Sequence, residues 1–269
     1  MRNHVVENYE NYQAMLHSRN VKTIIVDLDR TLLHTDKTIS PYTVAMLKEC
    51  RESGMKLMVA TARPLRDVTQ FCEMIGFDAM TVSNGARIIC GTQRTEFGIC
   101  QTSAERVLGV LLRDPALRIT LETGDRAYSN KPIGEYETVL SDDLTAIART
   151  EGTMKILVHL DKDDTLIAVQ KVLTEDLYAT VANGYLMQIM NKAATKWNGI
   201  KSMLEISGDA PAETVYFGDD HDDIEPLKRC GIGVAVSNAI EQAKAAADVI
   251  AESNDADGVA KFLAQMLGT

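Results

Sequence analysis

The sequence predicts a doubly wound parallel α/β sheet interrupted by an inserted α+β domain. Three observations lead there. Short apolar, β-branched runs alternate with helix-period segments at both ends of the chain. That alternation lapses in the middle, where hairpin-like turns take over. Several terminal-region runs end in a carboxylate or hydroxyl, which is where a parallel sheet binds its ligands.

Taken in order, Thr23-Ile24-Ile25-Val26 is a continuous apolar run, as for a strand buried on both faces. Ser40-Pro41 supplies an N-cap with Pro at the first helical position, and Val44, Leu47, Lys48 and Arg51 continue at helical spacing to Gly54. Residues 57–60 form the next strand, 65–75 a helix stopped by Gly76, and Ala79–Val82 a third strand. Near the C-terminus a helix over 196–206 precedes a strand over 214–217, which reaches Gly218-Asp219. A helix follows Asp223, then a strand Ile232–Val236, a helix over 238–247, a strand over 248–250 and a helix over 257–267. Such alternation implies right-handed crossovers.

Between them lie strand-like pieces at Arg118–Glu122, Lys155–His159 and 185–189, turns at Thr123-Gly124-Asp125 and Asn183-Gly184, and helices over 104–113 and 165–177. The expected organisation is an N-terminal extension over 1–20, a discontinuous core over 21–88 and 188–269, and an α+β insertion over 89–187.

The 269 residues carry a net charge of −10, with no Lys/Arg cluster. This argues against nucleic acid, whose binders present a basic patch. No apolar run reaches the ~20 residues of a membrane helix. The polar first twenty residues lack the apolar segment of a secretory signal. Five cysteines without a Cys-x-x-Cys pair read as buried thiols in a reduced, cytoplasmic chain. The histidines (4, 17, 34, 159, 221) lack zinc spacing. The acidic balance repels phosphorylated ligands, so an anion site here requires a local cation.

Three strand ends meet that requirement. The first ends in Asp27-x-Asp29, the second in Thr61, and one in the C-terminal piece in Gly218-Asp219-Asp220-His221-Asp222-Asp223. Converging carboxylates raise one another's pKa unless a cation sits among them. An oxygen-only donor set selects a hard cation, magnesium being usual when phosphate completes its coordination. Each feature alone has a plain reading: a chance Asp-x-Asp, a solvated acidic loop, a helix N-cap at Thr61, a surface charge at Lys196. Their joint placement at matching strand ends is what points to a site.

The motifs resemble those of the haloacid dehalogenase superfamily, specifically its Cof-type branch of large-capped phosphatases with a Rossmann-like core. The matching residues are Asp27-Leu28-Asp29-Arg30-Thr31-Leu32-Leu33, Ala60-Thr61-Ala62-Arg63-Pro64, Ser83-Asn84-Gly85-Ala86, Thr195-Lys196, and Phe217-Gly218-Asp219-x-x-Asp222-Asp223-Ile224. Gly233 to Ala239 and Ser253 to Ala260 match as well. The resemblance spans about residues 21–269 and is weakest in the insertion, the family's cap.

The resemblance implies a two-step phosphoryl transfer. Asp27 would attack phosphorus to form an aspartyl-phosphate, and Asp29 would act as acid and then base, a role suited to a carboxyl group of raised pKa. Magnesium would be held by Asp27, the Asp29 carbonyl and Asp219, with Asp223 on the ion or behind its ligands. Leu28, Thr61, Ala62, Lys196 and Asp222 would bind phosphate, and Lys196 would also neutralise the nucleophile. Arg30, Arg63, Asn84 and Arg87 are candidates for substrate contact. The partner implied is a small phosphorylated metabolite such as a sugar phosphate, with the oligomeric state open and a monomer compatible.

This chain departs from the family pattern in three places. Arg30 replaces a glycine, so a right-handed or reshaped turn is expected there. Asp222 replaces an asparagine, and a carboxylate repels phosphate. Asp220 and His221 replace a small or acidic pair and receive no role. A phosphomutase or a non-catalytic phosphate sensor of the same fold remain alternatives.

Overall fold

The computed structural model describes residues 21–160, 164–182 and 184–268. The expected extension over 1–20, with His4 and His17, and Asn183 of the expected turn lie outside the described residues.

The chain enters through β1 (Thr23–Val26), a wide helical turn at Leu28–Leu32, α1 (Pro41–Glu52) and β2 (Lys56–Ala60). It continues through α2 (Thr69–Ile75), β3 (Ala79–Val82), β4 (Arg87–Cys90) and β5 (Gln93–Glu96). Then come α3 (Gln101–Leu111), β6 (Arg118–Glu122), β7 (Ala127–Ser129), β8 (Val139–Leu140), α4 (Leu144–Glu151) and β9 (Lys155–His159). These are followed by α5 (Asp164–Gln170), β10 (Leu177–Ala182) and β11 (Leu186–Asn191). The last part holds α6 (Lys196–Ser207), β12 (Thr214–Gly218), α7 (Ile224–Arg229), β13 (Ile232–Val236), α8 (Glu241–Ala246), β14 (Val249–Ala251) and α9 (Gly258–Leu267).

Two sheets result. The first has order β14-β13-β12-β1-β2-β3-β4-β5, the second β10-β11-β9-β6-β7-β8. From β14 to β3 the first sheet is parallel, and β4 and β5 extend it antiparallel. Ile24, Ile25, Val215, Tyr216, Phe217 and Val234 are fully buried in its core, as a two-faced sheet requires. A second core, with Leu108, Leu111, Ile119, Leu121, Ile156 and Val158, lies under the second sheet.

Ser40 caps α1 by accepting the Thr43 N–H at 3.0 Å, with Pro41 first in the helix. Gly76 ends α2 at φ 78°. The helix expected over 65–75 is shorter: a single tight turn at Leu65–Asp67 precedes it, and Val68 at φ −104° separates the two. The helix expected over 165–177 ends at Gln170, and Leu177 instead opens β10, paired with Asn191.

The expected boundaries of the insertion fall inside strands. Residue 88/89 lies within β4, whose polar continuation β5 stays on the first sheet, and 187/188 lies within β11 of the second sheet. The chain crosses between sheets around residues 97–100 and 192–195. β5 reads Gln-Arg-Thr-Glu, an exposed edge strand with no apolar pattern to betray it. No helix among the described residues is long and apolar enough to cross a membrane.

Candidate active site

Register explains why the carboxylates meet. Val26 lies opposite both Phe217 and Val59, so Asp27 emerges level with Gly218 and Ala60, one residue before Asp219 and Thr61. The Asp27 N–H donates to the Phe217 carbonyl at 3.0 Å, locking that level. Lys196 opens α6 behind the N-cap Thr195, whose hydroxyl accepts the Asn198 N–H at 3.1 Å. Its Nζ donates to Asp27 Oδ1 at 2.8 Å and Asp223 Oδ1 at 2.6 Å. Asp27, Thr61, Lys196, Asp219 and Asp223 are all buried.

One ammonium faces three carboxylates. Burial pushes the Asp27 carboxyl up to about 8; Lys196 opposes this, and Asp223 and Asp219 add to it. Asp219 is pushed up to about 6, by burial and then by Asp223. Burial disfavours the charge of Lys196, yet Asp223 and Asp27 hold it cationic, well above the ordinary lysine range. Asp223 is held below the ordinary carboxylate range despite its burial, chiefly by Lys196.

One oxygen from each of Asp27, Asp219 and Asp223 lies within 4.8 Å of the others, a donor set that fits a hard divalent cation. Asp223 is the most committed elsewhere. Besides Lys196 it accepts the Tyr216 hydroxyl and the N–H groups of Asp219 and Asp220, both at 2.9 Å. Four donors occupy its two oxygens, so it orients the lysine and the 219–220 backbone. Thr31 orients Asp219 through a 3.0 Å hydrogen bond.

The raised carboxyls give a pH prediction. Raised groups stabilise the fold below their ordinary 3.8, and that contribution is lost as pH climbs through about 6 for Asp219 and about 8 for Asp27. The thermal midpoint of the EDTA-treated protein should therefore fall between pH ~5 and ~8.5. Magnesium should restore it at the alkaline end. A midpoint indifferent to magnesium across this window, followed by dye fluorescence, would refute the cation site.

Asp29 corrects an expectation. Its carboxylate points to Arg63, with Nε to Oδ2 at 2.7 Å and Nη2 to Oδ1 at 2.8 Å, and to Lys37 Nζ at 2.7 Å. Burial raises its pKa, but the hydrogen bonds from Arg63 and Lys37 outweigh this and set it at about 2, not above the usual range. Arg63 is thus engaged with the acid–base candidate.

Arg30 corrects another. It keeps the left-handed turn at φ 60° despite its Cβ. Asn238 anchors it, donating Nδ2 to the Arg30 carbonyl at 2.8 Å. The guanidinium lies by the Asn238 carbonyl (3.4 Å) and Asp219 (3.9 Å), on the core side of the site. Arg87 is also committed, to Glu96, the Gly124 carbonyl (2.6 Å) and Asp125 (3.0 Å), tying β4 to the β6–β7 turn.

Ser83, Asn84 and Gly85 form a run at φ 51°, 57° and 95°. A Cβ on Gly85 would lie 2.1 Å from the Thr195 carbonyl oxygen, so this loop presses on the start of α6. Gly85→Ala should cost about 1–3 kcal/mol in urea unfolding. It should lower turnover too, because the displaced Thr195 carries Lys196 with it; full turnover would contradict this packing.

Asn84 donates to Asp222 Oδ2 and accepts from Lys155 Nζ at 2.7 Å, so Asp222 is held by an amide. Leu28 is buried at the start of the Leu28–Leu32 turn, and Ala62 is exposed just beyond β2. The Leu28 N–H opens the Leu28–Leu32 turn, whose first amides have no partner within the turn. His221 and Asp220 sit on the outer loop.

Sequence reasoning missed Lys37, Tyr216, Arg66, Glu122 and Lys155. Tyr216 hides within an apolar strand. Lys155 and Glu122 cap the ends of strands that were recognised, and a charge at the buried end of an apolar strand was the available signal.

A family model described as haloacid dehalogenase-like hydrolase matches residues 24–263. A 5-amino-6-(5-phospho-D-ribitylamino)uracil phosphatase of Bacillus subtilis is 24% identical over 268 residues, covering 89% of this chain and 95% of that protein. A phosphoglycolate phosphatase of Methanopyrus kandleri is 26% identical over 255 residues, covering 91% and 96%. A haloacid dehalogenase-like hydrolase from Bacteroides thetaiotaomicron superposes with a TM-score of 0.81 at 24% identity, covering 91% of this chain and 99% of that one. That likeness is one of fold.

Proposed function

This chain belongs to the haloacid dehalogenase-like hydrolases, in the Cof-type branch, and we propose that it is a magnesium-dependent phosphatase of a small phosphorylated metabolite, acting through Asp27. As a member of this phosphatase family the chain is a phosphoric monoester hydrolase. The observation that carries the proposal is the buried Asp27 carboxylate, held by Lys196 and facing Asp219 within reach of one ion.

In the proposed reaction an Asp27 oxygen attacks phosphorus, the new O–P bond forms, and the ester P–O bond breaks. The leaving oxygen takes a proton from Asp29. Water, deprotonated by Asp29, then attacks the same phosphorus and returns Asp27 to its carboxylate, releasing phosphate. Thr61 and the N–H groups of Leu28 and Ala62 orient the phosphoryl oxygens, and Lys196 balances the charge of the transferring group. Asp27, the Asp29 carbonyl and Asp219 would hold magnesium, which would supply the positive field that lets phosphate approach so acidic a protein. Asp29 must leave its clamp of Arg63 and Lys37 to take up a proton.

The relatives named above carry different leaving groups, so residues outside the shared strand ends set the substrate. Phosphate release from p-nitrophenyl phosphate, measured after EDTA treatment and again with magnesium, tests the proposal. Release that appears only with magnesium is expected; none from any phosphate ester would overturn it.

A further inference from the structure

The reaction above gives Asp222 no task, yet its carboxylate stands beside the groups that handle phosphate. It is exposed on the loop after β12, next to Asp223, which holds Lys196 at 2.6 Å. Asp222, Asn84 and Lys196 line one cavity of about 170 Å³. The Asn84 N–H donates to the Thr61 carbonyl at 3.1 Å, which pins this side chain to the end of β2. Its backbone sits at φ 57°, a region that Asn enters more readily than most residues. A carboxylate placed there, where the family pattern has an asparagine, repels an incoming phosphate unless another charge offsets it.

Lys155 brings that charge from the other sheet. It begins β9, opposite Glu122 at the end of β6. Its Nζ donates to Asn84 Oδ1 at 2.7 Å, and Asn84 Nδ2 donates to Asp222 Oδ2. The amide therefore lies with its oxygen on the cation and its nitrogen on the anion, the alignment that satisfies both ends. Lys155 and Asn84 are each only 4% exposed, so little water screens the attraction passed along this line. Burial pulls the Lys155 pKa down, and Glu122 and then Asp222 oppose it. Glu122 also accepts from Arg66 Nη2 at 3.3 Å. Lys155 and Arg66 thus balance Glu122 and Asp222, two cations against two anions.

We propose that Lys155 is a positioning residue for phosphate binding: acting through Asn84, it holds and neutralises Asp222, so that this carboxylate does not oppose phosphate beside Lys196. The proposal deepens the phosphatase reading above and rests on it for the place where phosphate sits. Lys155 touches neither the ester nor the ion; it works through the amide and the carboxylate in front of it. Without its charge, Asp222 stands unbalanced against the same dianion that Lys196 attracts. The dependence is specific to a chain with Asp at this position, because an asparagine at 222 has no charge to neutralise.

The test is a double-mutant cycle read by calorimetric titration of inorganic phosphate into the magnesium-loaded protein. Lys155→Met should weaken phosphate binding by ~10-fold or more, the scale of one uncompensated charge near the ligand. Adding Asp222→Asn to that variant should return most of the loss, although it restores nothing at position 155. Asp222→Asn alone, at an exposed position, should bind phosphate at least as tightly as the wild type. Where Lys155→Met does not fold, Lys155→Gln replaces it, keeping a donor for Asn84 Oδ1 without the charge. Unchanged affinity in the Lys155 variant overturns the inference. So does a loss that Asp222→Asn fails to relieve, which would make Lys155 a strut between the sheets, and so does weaker binding in Asp222→Asn alone. A wild type that binds phosphate but releases none from p-nitrophenyl phosphate would overturn the phosphatase reading and leave the cycle to decide the inference. A wild type that binds no phosphate would overturn both.

Discussion

Asp27→Asn should abolish turnover while leaving the protein folded, and more stable without metal at alkaline pH than the wild type. Phosphate monoesters are among the slowest substrates to react unaided, with catalysed enhancements reaching ~10²¹-fold. Loss of a covalent nucleophile typically removes on the order of 10⁶ in kcat. The amide keeps an oxygen for Lys196 Nζ, now 2.8 Å from Oδ1, so the lysine stays in place. Folding should benefit because the Asp27 carboxyl is already pushed up to about 8 by burial and by Asp223 and Asp219. Above that pH the wild type carries a charge its surroundings resist and the variant does not. Turnover on p-nitrophenyl phosphate and a urea melt in EDTA at pH ~8.5 read the two halves separately. Near wild-type turnover would remove Asp27 from the chemistry.

Lys196→Met should have the opposite signature: it should damage both folding and catalysis, and magnesium should partly repair the folding. Lys196 is the buried cation between Asp27 and Asp223. Removing one member of a buried charge group leaves its partners uncompensated, at a cost of about 3–5 kcal/mol. The methionine fills the space of the aliphatic stem, so the loss reports charge more than volume. A dication on Asp27 and Asp219 would return part of that loss, and a urea melt with and without magnesium measures how much. Turnover should fall by about 10²–10³, the range for losing one preorganised charge-stabilising group. A variant as stable in EDTA as the wild type would show that Lys196 does not balance these carboxylates.

How much of this was legible in the sequence depends on whether a feature is local. β1, β12 and β13 announced themselves as unbroken apolar runs, and Ser40-Pro41 and Gly76 marked helix ends by their backbone preferences. Asp27, Thr61, Lys196 and Asp219 were placed together because each follows or precedes such an element. Side-chain direction was not legible. Asp29 was expected to be a carboxyl of raised pKa, but Lys37 and Arg63 turn it into a clamped carboxylate. Arg30 was expected to force a reshaped turn, yet a contact from Asn238, distant in sequence, holds the left-handed one. The edge strand β5 carries no apolar pattern, and although a charge ending an apolar strand marks Glu122, its pairing with Arg66 depends on a neighbour far along the chain.

The strand order also has a consequence for synthesis. β1 lies in the middle of the first sheet, between β2 and β12. Residues up to Glu96 can complete β1 through β5, but β12 is not made until Thr214–Gly218. At ~5–20 residues per second the ribosome needs on the order of ten seconds to close that gap. During it, Thr23-Ile24-Ile25-Val26 presents a bare backbone edge, short, uncharged and apolar, which is the kind of segment that pairs with strangers. The second sheet emerges in that same interval, so the nascent chain must fold its middle while its most adhesive edge still waits for a partner.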